Sequence, residues 1–270
     1  MQEATILMDG HVHLYPEYNL QNAFRNGLDN MHRNLNKIEN MNGNPVYTVW
    51  LLTERWDCTY FSQITKSPEK FAFNGWKVTP SEEEEAVMVE KAGMPKHFIF
   101  AGRQLVSNDG LEVLSLATDL FVKDKTLSTP ELIEKVNESG GVPVLNWAPG
   151  KWFFNRGKIV QKILDTSKTD DFVVGDSPLR FSLWPMPKLM KSAAAKGYKL
   201  VAGSDPLPFA GEEKYVGIYS FAMNGEFDPQ KPVTSIRKLL RLTDRPAQLI
   251  GKRNGVITFF YRETRIMAKK

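Results

Sequence analysis

The sequence predicts an α/β fold, a distorted TIM-like barrel of about seven mostly parallel strands. Short β-branched and apolar runs recur along the chain, each ends in a polar or glycine-containing turn, and most precede a segment of helical periodicity. Between 111 and 205 these elements alternate in steps of roughly 28 residues, which is typical of parallel βα units. An open doubly wound sheet is the alternative, although no strand precedes a glycine-rich dinucleotide fingerprint.

The predicted elements follow one another in order. Strands are predicted at 5–8, 46–52, 97–106, 111–116, 142–145, 171–174 and 199–202. The turn Asn108-Asp109-Gly110 joins the run 97–106 to the run 111–116 in an antiparallel hairpin. One helix begins at Thr129-Pro130-Glu131, with an N-cap and a first-turn proline, and ends at a glycine pair. The other predictions are helices at 158–165, 187–196 and 236–250, and a last strand at 255–261.

Residues 59–93 interrupt the alternation. Ser81 and Glu84 have the spacing of a capping box, which predicts a short acidic helix. The segment is too short and polar to bury a core of its own, so we interpret it as a polar insertion within a single domain of residues 1–270. A lid over the mouth of the barrel is the alternative role.

Composition narrows the class of protein. Hydrophobic residues at 42% and charged residues at 24% match a globular chain and exclude a disordered or fibrous one. The single cysteine, Cys58, excludes an internal disulfide framework and indicates a cytoplasmic protein. The net charge of +4 is scattered, and no apolar run approaches about 18 residues. We therefore expect no nucleic-acid and no membrane partner, and leave the oligomeric state open.

Polar and ionisable residues follow the predicted strands. The carboxyl ends of parallel strands share one face of such a fold, and active sites lie on that face. The residues at these ends are His11, His13, Glu54, Arg55, Arg103, Glu112, Asn146, Trp147, Lys151, Asp176, Arg180 and Asp205.

The pair His11 and His13 is the sharpest local signal. Side chains two residues apart on a strand leave it on the same side, and two neutral imidazoles there can share a divalent cation. A structural pair at a strand end is the alternative. Asp205 follows a Gly-Ser turn and is a candidate ligand or proton acceptor, or else caps the turn before Pro206.

Eight further side chains complete the predicted site. Glu112 and Asp176 are candidate metal ligands, because a buried carboxylate needs a metal or an arginine as its partner. The cations on the same face indicate an anionic substrate, since guanidinium groups suit carboxylate and phosphate oxygens. The predicted substrate-binding residues are Arg55, Arg103, Lys151, Arg180, Asn146 and Trp147.

Three motifs carry a resemblance to a known family. In this order, Asp9-Gly-His-Val-His-Leu14, Gly140-Gly-Val-Pro-Val-Leu145 and Ala202-Gly-Ser-Asp205 resemble the PHP (polymerase and histidinol phosphatase) family, whose broader relatives are the metal-dependent hydrolases of the amidohydrolase superfamily. The resemblance covers roughly residues 5–220. It implies a distorted seven-stranded barrel with a metal site at its C-terminal face, where a metal-activated water attacks a phosphoester.

The resemblance also implies ligands, with a reduced set. His11 and His13 match the first ligand pair, and Asp205 matches the aspartate of the last ligand motif. Leu207 stands where the family has a histidine, and 146–148 read Asn-Trp-Ala where a histidine followed by proline is expected. This implies one metal rather than three, held by His11, His13 and Asp205 with Glu112 or Asp176.

The leading hypothesis is a hydrolase that uses one divalent ion, zinc or manganese, on an anionic small-molecule ester (a phosphoester) or amide. Asp205 would accept the proton of the water, and Arg103 and Arg180 would stabilise charge in the transition state. A degenerate relative that binds an anionic ligand without hydrolysing it is the second hypothesis. A metal-dependent lyase or isomerase is the third, because fold alone does not fix the reaction.

Overall fold

The structure, a computed structural model, describes residues 2–39, 41 and 43–269, apart from the side chain of Lys269. The strands are β1 (Gln2–Val12), β2 (Val46–Leu52), β3 (Lys77–Pro80), β4 (Ala86–Glu90), β5 (His97–Phe100), β6 (Gly102–Val106), β7 (Glu112–Leu116), β8 (Val142–Asn146), β9 (Val173–Asp176), β10 (Leu200–Ala202), β11 (Tyr219–Phe227) and β12 (Gln248–Gly251).

Helices lie between and after these strands. They are α1 (Leu20–Leu35), α2 (Tyr60–Lys66), α3 (Thr129–Glu138), α4 (Phe154–Thr166), α5 (Lys188–Ala195), α6 (Pro232–Arg241) and α7 (Val256–Lys269), with 3₁₀ turns at Pro68–Phe71 and Glu212–Tyr215. Over the described ranges, none of the helices has both the length and the apolar character needed to cross a membrane.

The strands form two mixed sheets. The first has the order β12-β11-β1-β2-β5-β4-β3 and the second the order β10-β9-β8-β7-β6. The pairs β1–β2, β2–β5, β8–β9 and β9–β10 are parallel, and the other neighbouring pairs are antiparallel.

The predicted distorted TIM-like barrel of about seven mostly parallel strands was therefore wrong. Parallel pairing occurs where a helix returns the chain, as in β8-α4-β9-α5-β10, but strands joined by tight turns must be antiparallel. The predicted hairpin is confirmed for β6–β7, but the first part of the run 97–106 is β5, which belongs to the other sheet. Strands β3 and β4 form another hairpin. Strand β11, which the apolar pattern did not reveal, pairs antiparallel with β1. The sheets thus have open edges, and the hydrogen-bonded ladder does not close.

Three cores hold the sheets and helices together. The intersheet core lies between the two sheets and includes Val49 and Leu51 of β2. Trp50 and Leu52, the alternate residues, pack on the other side of the first sheet with α1. A third core lies between the second sheet and helices α3, α4 and α5. Both faces of each sheet are buried, so the strands appear in the sequence as continuous apolar runs.

The segment 59–93 contains α2, β3 and β4, and these two strands extend the first sheet beyond β5. The acidic helix predicted from Ser81 was wrong, because 81–85 form the turn between β3 and β4. Glu83 in that turn instead accepts hydrogen bonds from the backbone N–H groups of Val233 and Thr234, at 2.6 and 3.2 Å. Its carboxylate therefore stabilises the N-terminus of α6.

Two C-terminal predictions also failed. The helix predicted over 236–250 ends at Arg241, and β12 occupies its last part, paired with β11. The strand predicted over 255–261 is the first half of α7. Aromatic residues favour strands on propensity alone. Here Phe259 and Arg262, three residues apart, are buried on one helical face, while Phe260 and Tyr261 remain exposed.

Candidate metal centre

A bulge in β1 turns both histidines toward the space between the sheets. Between Asp9 and Val12 the pairing with β2 shifts register, with one residue more on β1 than on β2. A bulge reverses the alternation of side chains beyond it. Val12 accordingly packs in the same core as Leu7, and the alternate residues His11 and His13 turn to the opposite side.

The end of β10 lies directly against this bulge. A Cβ on Gly203 would lie 2.3 Å from the backbone nitrogen of His11, so only glycine permits the approach. The buried Asp9 carboxylate ties the segments together, because it accepts hydrogen bonds from the N–H groups of Ser204 and Gly217, each at 2.8 Å. Burial raises the pKa of Asp9 to about 6. The chain then continues to Asp205, whose N–H donates to the His11 carbonyl at 2.9 Å.

His11, His13 and Asp205 form a compact cluster, which we call the metal triad. The two Nε2 atoms lie 2.9 Å apart, and Oδ1 of Asp205 lies 3.6 Å from Nε2 of His11 and 3.8 Å from Nε2 of His13. All three residues are buried. Among the described residues, they are the group of histidine, cysteine and acidic side chains whose ligand atoms converge closely enough to hold a metal ion.

The donor set fits a divalent ion. Ligand atoms about 2.0–2.1 Å from a tetrahedral zinc ion lie roughly 3.3 Å from one another, and the three distances in the metal triad fall around that value. Neither Nδ1 atom has a hydrogen-bond partner in the described part of the chain. Packing therefore orients the rings. The imidazoles of His11 and His13 meet edge to face with their ring centroids 4.8 Å apart, and the His13 ring stacks on the Tyr15 ring with a centroid distance of 5.1 Å.

The protonation states also suit metal binding, which requires neutral imidazole and ionised carboxylate. Burial and the neighbouring His11 lower the pKa of His13 to about 3, so its ring is neutral at pH 7. Burial alone would raise the pKa of Asp205, but the nearby His11, His13 and Arg262 offset this and the pKa falls below its ordinary value.

Asp205 is held in an unusual backbone conformation. Its φ of +44° lies in the left-handed region, which costs a residue other than glycine of order 1–3 kcal/mol. The guanidinium of Arg262, which is 0% exposed, donates to the Asp205 carbonyl at 3.0 Å and pairs with Glu212 at 2.8 Å. Arg262 therefore positions the aspartate. The prediction of a strand ending at 261 concealed this role, because it stopped one residue before the arginine.

Gln104 also reaches the metal triad, and the sequence did not single it out. Its Oε1 lies 3.2 Å from Nε2 of His11. Consecutive residues of a strand face opposite ways, and because Arg103 is directed at Glu54, Gln104 faces the histidines. The sequence had assigned that face to Arg103 and therefore missed Gln104. This amide oxygen is a further candidate ligand atom for a metal beside the two imidazoles.

Asp176 is occupied by another partner. Nε of Arg180 donates to its Oδ1 at 2.9 Å, and the hydroxyl of Tyr219 donates to its Oδ2 at 2.9 Å. Asp176 and Arg180 are both buried. Of the two alternatives open for this carboxylate, a metal or an arginine, the described structure shows the arginine.

Arg103 is neutralised in the same way. Its guanidinium lies 3.4 Å from the buried carboxylate of Glu54, 2.9 Å from that of Asp119, and donates to the Cys58 carbonyl at 2.8 Å. Burial raises the pKa of Glu54 to about 7. The guanidinium therefore fixes the junction between β2 and β6, where Gln104 N–H also donates to the Glu54 carbonyl at 3.0 Å.

The remaining predicted residues have partners of their own. Arg55 forms a two-point hydrogen bond with Asp57 at 2.6 and 2.7 Å and lies over the Tyr15 ring. Lys151 lies 3.5 Å from Glu112, whose other oxygen is 3.4 Å from the Asn146 amide. Trp147 is fully buried in the core beneath α3, α4 and α5. The structure thus brings His11, His13 and Asp205 together and places Glu112 and Asp176 in ion pairs.

Comparison with known proteins gives similarities in structure alone. No family model and no curated protein matches the chain. The structure is similar to that of the lesion-specific endonuclease PfuEndoQ from Pyrococcus furiosus (TM-score 0.43, 13% identity, covering 90% of this chain and 57% of that one). It is also similar to a two-domain protein from Bacteroides vulgatus ATCC 8482 that contains a predicted PHP-like metal-dependent phosphoesterase (TM-score 0.48, 11% identity, 96% of this chain and 70% of that one).

A further similar structure is an endonuclease Q complex with a 27-mer duplex that has an abasic lesion at the active site (TM-score 0.44, 12% identity, 91% of this chain and 58% of that one). The chain thus spans less than two thirds of the endonuclease Q chains. The expectation that nucleic acid is not a partner is corrected, because two of these similar structures are endonucleases. The PHP-like part of the sequence resemblance recurs among these structures, and the amidohydrolase barrel is not confirmed.

Proposed function

We propose that the chain is a hydrolase that binds one divalent ion, zinc or manganese, through His11, His13 and Asp205. One observation carries the proposal: two imidazole nitrogens and a carboxylate oxygen converge within 2.9–3.8 Å at a buried position. Three N/O ligands that leave a position open are the usual arrangement of a catalytic site. The proposed reaction is hydrolysis of an ester, a phosphoester in particular, or an amide.

Asp205 and the residues that hold it have different roles in the proposed reaction. A divalent ion held by His11, His13 and Asp205 would supply Lewis-acid chemistry, which lowers the pKa of water toward about 7. Oδ2 of Asp205 accepts a hydrogen bond from the Ser177 hydroxyl at 3.0 Å, which leaves Oδ1 directed at the histidines. Oδ1 has lone pairs both to bind and to take a proton. Arg262 holds the carboxylate in this orientation through the Asp205 backbone.

Among the predicted substrate-binding cations, the more exposed ones suit the role best. Arg103 and Arg180 are buried and paired, so we infer that they support the walls of the site. The side chains of Arg55 and Lys151 are 35% and 29% exposed, and a bound anion can compete for them with Asp57 and Glu112. We therefore assign contact with an anionic group to these two residues.

A second candidate is a protein that holds an anionic ligand without hydrolysing it. Two buried apolar side chains favour it: Trp147 and Leu207 occupy positions at which the resemblance implies additional ligand histidines. A site limited to one ion lacks the second ion that can stabilise the leaving oxygen in two-metal phosphoesterases.

Hydrolysis by reconstituted protein tests the two candidates. Metal-free protein would be assayed with and without Zn²⁺ or Mn²⁺ on bis(p-nitrophenyl) phosphate, p-nitrophenyl phosphate and p-nitrophenyl acetate, beside His11→Ala. His32→Ala, which removes a histidine of α1 outside the site, is the matched control. We expect metal-dependent turnover in wild type and His32→Ala and none in His11→Ala. Equal rates in wild type and His11→Ala would contradict the proposal, and metal binding without turnover of any ester would favour the second candidate.

A further inference from the structure

An apolar cleft lies along the free edge of the second sheet. Strand β6 is the edge strand there, and the cleft beside it has a volume of about 370 Å³. Three large apolar residues that line it are strongly exposed, Trp56 at 74%, Val106 at 51% and Phe121 at 46%. Exposed apolar side chains that converge on one concave surface are typical of a binding site.

The cleft adjoins the metal triad. Gln104 forms part of its wall, and Oε1 of the same residue lies 3.2 Å from Nε2 of His11. Glu54 and Arg103, which join β2 to β6, also line the cleft. Gln104 is thus the residue that the metal triad and the cleft share.

The charges of the cleft favour an uncharged occupant. Its ionisable lining consists of two acidic residues, Glu54 and Asp124, and two basic residues, Arg103 and Lys125. The guanidinium of Arg103 already has Glu54 and Asp119 as partners. It also lies 5.6 Å from the centre of the Phe121 ring, and this contact orients that ring.

We propose that this cleft binds a planar aromatic group of the substrate whose ester lies at the metal triad. The inference rests on the proposed function and adds the class of substrate, an aryl ester. The indole of Trp56 and the ring of Phe121 supply faces on which an aromatic group stacks. The volume of about 370 Å³ lies at the lower end of the roughly 300–1,000 Å³ of small-molecule sites, which suits a single aromatic group.

Binding of two non-hydrolysable probes tests the proposal. Calorimetric titration of Zn²⁺-loaded protein would compare phenylphosphonate with methylphosphonate, which share the anionic group and differ in the ring. We expect phenylphosphonate to bind about 10-fold more tightly to wild type, the upper end of what one aromatic contact contributes. Trp56→Ala and Phe121→Ala should reduce that ratio to below about 3-fold. Phe260→Ala, which removes an exposed ring of α7 outside the cleft, is the matched control and should retain the full ratio.

A neutral probe separates this inference from the proposed function. In protein treated with EDTA, 2-naphthylmethanol should still bind to wild type and lose affinity in Trp56→Ala. If the chain binds no metal but the neutral probe behaves in this way, the proposed function fails and the aromatic site stands. If metal binds but phenylphosphonate and methylphosphonate bind equally, or the neutral probe does not distinguish wild type from Trp56→Ala, the aromatic site is overturned. Trp56 is largely exposed, so its substitution leaves the cores intact.

Discussion

The metal triad differs from the buried ion pairs of Asp176 and Arg103 in how its polar groups are partnered. Asp176 is saturated by Arg180 and Tyr219, and Arg103 by Glu54 and Asp119. In the metal triad, by contrast, the two Nε2 atoms and one carboxylate oxygen face one another. Buried polar groups need partners. The ion pairs serve the fold, whereas the convergence of these three ligand atoms is what the proposed metal site rests on.

The largest effect that we expect is the loss of metal affinity on substitution of a ligand in the metal triad. His11→Ala removes one of three ligands, and we expect affinity for Zn²⁺ to fall at least about 1,000-fold, because little of the roughly 10–16 kcal/mol typical of strong zinc sites survives with two donors. Competition titration against a chelating dye measures it. His32→Ala should keep wild-type affinity, and a His11→Ala protein that binds as tightly as wild type would remove the distinction between the two regions.

Substitution in the Asp176–Arg180 ion pair should lower stability and leave metal affinity nearly unchanged. Asp176→Asn leaves Arg180 buried without a countercharge, so we expect the free energy of unfolding to fall by about 3–5 kcal/mol. Zinc affinity of the folded variant should stay within about 3-fold of wild type. Urea unfolding and the same dye titration give the two numbers. A large loss of zinc affinity at full stability would show instead that Asp176 is a ligand.

Glu54, the partner of Arg103, should make the free energy of unfolding depend on pH. Burial raises its pKa in the folded protein to about 7, above the value near 4.5 of an exposed glutamate. The folded state thus binds the proton more tightly, so stability is fully present below about pH 4.5 and is lost as pH rises through 7. Glu54→Gln cannot lose this proton. Its stability relative to wild type should therefore rise by up to about 3 kcal/mol between pH 4.5 and 8, measured by urea unfolding of metal-free protein. A difference that does not change with pH would show that the pKa of Glu54 is the same in the folded and unfolded protein.

The smallest effect concerns Arg262, which forms an ion pair with Glu212 and also contacts Asp205 of the metal triad. Arg262→Met removes the hydrogen bond to the Asp205 carbonyl, and we expect zinc affinity to fall about 10- to 100-fold, as for other groups that orient ligands. Arg265→Met is the matched control, because Arg265 approaches the same Glu212 at 3.9 Å but does not contact Asp205 in the described hydrogen bonds.

Arg262→Met also lowers stability, so spectroscopy must separate positioning from folding. The visible bands of bound Co²⁺ should shift in intensity or position in Arg262→Met and match wild type in Arg265→Met. Unchanged Co²⁺ spectra and zinc affinity in Arg262→Met would show that Arg262 stabilises the fold through its ion pair with Glu212 and does not position Asp205.

Local spacing in the sequence placed all three residues of the metal triad among the five candidate metal ligands. The period-2 spacing of His11 and His13 predicted that both rings leave β1 on one side, and they do. Asp205 was found because it follows a short apolar strand and a Gly-Ser turn. In each case the informative interactions lie within a few residues along the chain.

What the sequence did not reveal depends on pairing between distant segments. A one-residue bulge decides which face of β1 carries the histidines, and no pattern in β1 alone indicates it. The antiparallel pairing of β11 with β1 replaced the parallel neighbour that a barrel requires. Arg262 lies 57 residues after Asp205, on a helix whose exposed aromatic residues resembled a strand.

Anomalous diffraction tests the central claim most directly. Crystals grown with Zn²⁺ and measured at the zinc absorption edge should show one peak per chain, about 2.1 Å from Nε2 of His11, Nε2 of His13 and Oδ1 of Asp205. A peak at Glu112 or Asp176 in place of this one, or no peak between the two imidazoles in crystals that have taken up zinc, would contradict the account.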